Sequence, residues 1–158
     1  MNNKRIAATL LCCVVASSAL LASCGHSSPT PGAPALVGTH WYGHEQKETD
    51  YGYNVTALAY ADCDLYFTTD STGYFFLDQF MEMSAYDYTL FDTVTVTFHY
   101  AFTSDSNGLL TQVVSPADER THRDIPIAYS HHEQSLTLSL TDQSMRSFGI
   151  QDVTLAEE

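Results

Sequence analysis

From Leu36 onward, apolar and polar residues alternate with a period of two. Val94, Val96, Phe98, Tyr100 and Phe102 fall on one face of an extended segment, and Thr95, Thr97, His99, Ala101 and Thr103 on the other. Leu136, Leu138 and Leu140 alternate with Thr137, Ser139 and Thr141 in the same way. Successive side chains of a strand point to opposite faces, so both segments read as strands with one face buried and one wet. β-Branched and aromatic residues dominate the runs, as a pleated surface favours. The same pattern predicts strands over 36–44, 56–68, 74–81, 91–103, 109–114, 124–129, 135–141 and 147–155. Asp70–Gly73 and Ser104–Gly108 are Gly-terminated hairpin loops, and Ser130–Gln134 is a third short connection. Residues 45–54, 82–90 and 115–123 read as longer irregular connections, and Leu77–Ala85 as one short helix.

An all-β chain of consecutive hairpins with no long crossover predicts an eight-stranded antiparallel up-and-down barrel, because closure removes the exposed strand edges. A Greek-key sandwich is the competing arrangement. One face of the second strand carries only small residues, Ala57, Ala59, Ala61 and Cys63. That leaves room for a ligand inside, or for Phe67, Phe75, Leu77, Phe98 and Phe102 to fill the space.

The N-terminal segment is of another kind. Lys4 and Arg5 precede an uncharged, apolar stretch from Ile6 to Leu21, too short for a membrane span of ~20 residues. It ends in Leu21-Ala22-Ser23-Cys24, which resembles the lipobox of bacterial lipoproteins. The resemblance implies a signal peptide over 1–23, acylation of Cys24 and a membrane anchor, since two or more chains at one point hold stably. Gly rather than Asp at position 25 resembles the enterobacterial pattern of outer-membrane sorting, so a lipid-anchored cell-envelope protein is expected. Residues 24–35, rich in Pro, Gly and Ser, read as a flexible tether, and 36–158 as one barrel domain.

Charge and cysteines narrow the function. The formal net charge is −13, and losing Lys4 and Arg5 with the signal takes it to −15. Nucleic acid and anionic headgroups are therefore expected to be repelled. Cys12 and Cys13 leave with the signal and Cys24 is capped, so Cys63 has no partner and no disulfide framework is expected.

Three short stretches carry a family resemblance. Leu36-Val37-Gly38-Thr39-His40-Trp41 resembles the first strand of lipocalin-like domains found in secreted lipoproteins of Bacteroidota. Leu65-Tyr66-Phe67-Thr68-Thr69-Asp70 followed by Gly73 is similar to their second-strand hairpin, and 97–108 with 125–138 to their later hairpins. The resemblance implies a lipocalin/calycin-like barrel in which Trp41, with Gly38, closes one end. Gly38 and Trp41 are three apart rather than two, unlike the vertebrate lipocalin signature, so that family's ligand habits are not carried over.

Candidate chemistry is sparse. His131-His132-Glu133 falls on a hairpin tip, where a solvated turn explains it better than a metal site with ligand spacing. His40 and His44 share a strand face and offer at most a weak site with Asp62, Asp64 or His99. Asp62 and Asp64 share a face with Tyr60 and Tyr66, yet no partner acid stands at a glycosidase spacing. Asp105, Asn107 and Gly108 mimic a calcium loop, but its twelfth position is Val114. No nucleophile elbow, dinucleotide loop or phosphate loop occurs. No enzyme, metal or cofactor is expected. The ten tyrosines are the most suggestive feature, with Tyr60, Tyr66, Phe98 and Tyr100 as candidate ligand-binding rings. Two functions compete: a binding module for a small apolar or aromatic ligand or a protein partner, and a structural component of an envelope complex whose barrel is filled.

Overall fold

The computed structural model describes residues 30–84, 88–140 and 149–158. The expected signal peptide and Cys24 lie outside them. Among the described residues nine strands follow in order: β1 (His40–Gly52), β2 (Val55–Phe67), β3 (Thr72–Met83), β4 (Tyr88–Phe102), β5 (Asn107–Ser115), β6 (Arg120–Thr121), β7 (Ile125–Ser130), β8 (Ser135–Ser139) and β9 (Asp152–Glu157). All pairings are antiparallel, in the order β4-β3-β2-β1-β9-β8-β7-β5, and β4 pairs with β5 to close the ring. The two-residue β6 is a spur on the end of β5. The protein is a closed eight-stranded up-and-down barrel of the lipocalin/calycin-like kind.

The core sits inside the ring. Trp41, Leu65, Phe67, Phe75, Leu77, Phe98, Leu110, Ile125, Leu136 and Leu138 are all at most 2% exposed. These inward positions follow the period-two pattern: on β2 every odd residue from Ala57 to Phe67 is buried and every even one is only half so. Two glycines let walls approach. A Cβ on Gly43 would collide with the carbonyl oxygen of Thr154, where β9 passes β1. One on Gly73 would strike the carbonyl oxygen of Tyr66 and the Phe98 ring.

Leu77–Met83 continues β3, so the short helix expected over Leu77–Ala85 does not form there. Leu77, Phe80 and Met81 have helical spacing only because β3 is apolar on both faces: Leu77 and Met81 share the inward register and Phe80 the outward. Most of the expected irregular stretch 45–54 is likewise the second half of β1, which pairs with β2 as far as Gly52. That half is polar on both faces, and its strand state comes from the regular partner beside it. Conversely, 36–39 is a turn rather than strand, since β1 begins at His40.

Strand lengths set the shape. β1 to β4 have 12 to 15 residues, against 5 or 6 in β7, β8 and β9. β9 pairs with β1 only at Trp41 and Tyr42, and the β4–β5 ladder stops at Thr97 and Val114. The four long strands therefore run on past the ring as one broad sheet.

Candidate functional site

One end of the barrel is closed from the N-terminal side. Leu36 is buried, and Gly38 takes φ +79° so that its N–H reaches the carbonyl of Phe67 at 2.7 Å. The Thr39 hydroxyl donates to the Leu36 carbonyl at 2.6 Å and accepts from Trp41 Nε1 at 2.7 Å. Trp41 is 2% exposed and meets Tyr129 edge-on. The indole thus buries its surface while its one donor is satisfied. Thr30, within the stretch read as tether, donates to the Phe102 carbonyl, so the chain already lies on the β4–β5 hairpin there.

The four candidate ligand rings do not converge. Phe98 is part of the core, edge-on to Phe67. Tyr100 packs against the same core at half burial, and its hydroxyl donates to the Thr69 carbonyl at 2.8 Å. Burial first, and then the charge of Asp70, raises its pKa above the ordinary tyrosine value. Tyr60 and Tyr66 lie on the other side of the wall, on the outer face of β2. Inside, Ala57, Ala59, Ala61 and Cys63 lie in register with Met83, Met81, Gln79 and Leu77. Burial and then Asp64 push the Cys63 thiol far up, which makes it an inert core residue. Two open spaces among the described residues lie at the surface. One is a groove of about 530 Å³ lined by Glu48, Leu58, Glu82 and Thr89 at the far end of the long strands. The other, of about 220 Å³, lies between Asp92–Thr95 and Ser115–His122.

The outer face of β1, β2 and β3 brings histidine, tyrosine and aspartate side chains together. Register aligns His40, Tyr66 and Tyr74 in one row, Tyr42, Asp64 and Phe76 in the next, then His44, Asp62 and Asp78, then Gln46, Tyr60 and Phe80. His40 stacks on Tyr66 at 4.2 Å, and Tyr66 on Tyr74 at 4.8 Å. Both faces of Tyr66 are thereby occupied by neighbours. Asp64 Oδ1 bonds His40 Nε2 at 2.8 Å, and Glu158 holds the other ring nitrogen at 3.5 Å. Asp62 Oδ1 bonds both His44 Nδ1 at 2.7 Å and the Tyr42 hydroxyl at 2.8 Å. That bond to Asp62, then desolvation and the nearby carboxylates, raise the Tyr42 pKa above its ordinary value. Desolvation, then Asp64, Tyr74 and Glu158, do the same for Tyr66.

The expected weak grouping of His40, His44, Asp62 and Asp64 is therefore a set of two His–Asp pairs across β1 and β2. His99 belongs to β4, opposite Thr72 and Thr111, and has no part in it. Among the described residues no three His, Cys, Asp or Glu side chains are placed to hold one metal ion. His131 instead bonds the Asp105 carbonyl at 3.1 Å.

Sequence reasoning missed Tyr74, Phe76, Asp78 and Phe80 as members of this face. The signal was present in β3 itself. Tyr74, Phe76 and Phe80 alternate with Phe75, Leu77 and Gln79, so the strand is apolar on both sides. A single-layer barrel has only one buried side, so the second must be exposed. No protein-family model, curated protein or solved structure matches the chain.

Proposed function

We propose that this protein is a lipid-anchored, non-catalytic interaction module of the bacterial cell envelope, tethered through Cys24 and engaging a protein partner from the outside of a filled barrel. The observation that carries this reading is the interior. Trp41, Phe67, Phe75 and Phe98 occupy, at 0–2% exposure, the volume in which a barrel carrier would hold its ligand. Rings placed outside the wall support binding there, since exposed aromatics are the side chains that anchor protein interfaces. The lipobox-like Leu21–Cys24 supports the anchor and the envelope location, with the outer membrane as its destination.

The test is native mass spectrometry of the full chain extracted from its own host, alongside cell fractionation of wild type and Cys24→Ser. We expect membrane-bound protein with no stoichiometric small molecule, and release of the Cys24→Ser variant from the membrane. A co-purifying mass of a few hundred daltons at one per chain would replace this reading with that of a carrier. Membrane retention of Cys24→Ser would remove the anchor.

A further inference from the structure

We propose that the outer face of β1–β4 is a docking surface for an arginine-bearing segment of a partner polypeptide. This deepens the interaction-module reading above and rests on it. The face is built without a permanent cation. Every second residue of β1 from His40 to Asp50, of β2 from Thr56 to Tyr66, of β3 from Thr72 to Glu82 and of β4 from Thr89 to His99 points outward, and none is Lys or Arg. The same positions include Glu48, Asp62, Asp64, Asp78 and Glu82. Lys47, on the other side of β1, reaches to the Gly149 carbonyl. The donors supplied to Asp62 and Asp64 are histidine and tyrosine, and they engage Oδ1 in each case. No hydrogen bond among the described residues uses Oδ2 of either carboxylate.

Aromatic surface surrounds this charge and is open. Phe91 is 65% exposed, Phe76 41% and Tyr42 37%. Phe76 and Phe91 sit two rows apart, on either side of the Asp78 row. Carboxylates between open rings fit a guanidinium, whose planar fork pairs with a carboxylate while its face lies on an aromatic ring. A lysine ammonium satisfies the charge but stacks less well. Charge also selects among occupants. A second copy presents the same negative face, and anionic lipid and nucleic acid are repelled for the same reason.

The test places a photo-crosslinking residue at Thr95 or Gln46 on this face, and at Ala128 on the opposite wall, in the full chain expressed in its own host. The crosslinked segment is then sequenced by mass spectrometry. We expect crosslinks from Thr95 and Gln46 to an Arg-containing segment, with at least a tenfold loss in Asp62→Asn/Asp64→Asn. Asp78→Asn leaves both His–Asp pairs intact and is expected to lower the yield several-fold at unchanged melting temperature, which separates loss of docking from loss of folding. A crosslink to lipid, to a second copy or to a segment without arginine overturns the proposal, as does full yield in both Asn variants. Crosslinks from Ala128 alone overturn this face and leave the interaction module standing. No crosslink from either wall removes both.

Discussion

At the scale of single residues, the protein separates positions that carry the fold from those that tune its surface. Trp41 belongs to the first kind, since its ring is buried and its N–H is bonded to Thr39. Trp41→Ala should cost about 3–5 kcal/mol and lower the melting temperature by roughly 10 °C or more. A shift of only a couple of degrees would mean that the ring does not hold this end closed. Tyr42 belongs to the second kind. Its hydroxyl bonds Asp62, so its folded pKa lies above the unfolded value of about 10. Folding then holds that proton more tightly, so the contribution is fully present below about pH 10 and is lost as pH rises through the folded value. The difference in ultraviolet tyrosinate titration between wild type and Tyr42→Phe should place this ionisation above 10. Asp62→Asn should return it toward 10, and no movement on that substitution would contradict the assigned cause.

At the scale of elements, legibility in the sequence tracks how one-sided each strand is. β8 reads cleanly because Leu136 and Leu138 alternate with polar residues, and its structure matches that pattern. The second half of β1 was illegible because Glu45–Asp50 is polar throughout, and only pairing with β2 makes it a strand. β3 misled in the opposite way, by carrying rings on both faces. The site was legible to the same partial extent. His40, His44, Asp62 and Asp64 share a face by simple parity, whereas the stacking of Tyr66 between His40 and Tyr74 depends on register between strands. Register also dictates glycine at the β2–β3 hairpin. Gly73 lies opposite Phe67 and Phe98, and its backbone φ is ordinary, so space rather than conformation excludes a side chain. Gly38 is the reverse, with a left-handed φ and open space, nothing lying within 4 Å of where a Cβ would stand. Gly38→Ala should therefore cost about 1 kcal/mol through backbone strain alone. Gly73→Ala should cost more, because a backbone carbonyl cannot move aside as a flexible side chain does. Denaturant midpoints that reverse this order would show that the hairpin can spread.

At the scale of the whole molecule, the excess of negative charge opposes the compact state. Nineteen acids face six bases, and two of those bases lie in the expected signal segment. Among the described residues Arg120 pairs with Asp118 at 3.3 Å, and that pair is largely exposed. Exposed pairs of that kind contribute about 0–1 kcal/mol. Self-repulsion acts over the Debye length, about 30 Å at 0.01 M salt and about 10 Å at 0.1 M. At the lower salt it spans much of the barrel, and at the higher it reaches only near neighbours. Screening should therefore remove more repulsion than attraction. We expect the melting temperature to rise by several degrees between about 0.01 and 0.5 M sodium chloride, most of it at the low end. Neutralising Asp62, Asp64 and Asp78 to Asn should flatten that rise if their face holds a large share of the uncompensated charge. A wild-type melting temperature that stays level or falls with salt would show that the carboxylates are balanced locally, and would remove the electrostatic reason for an arginine-bearing partner.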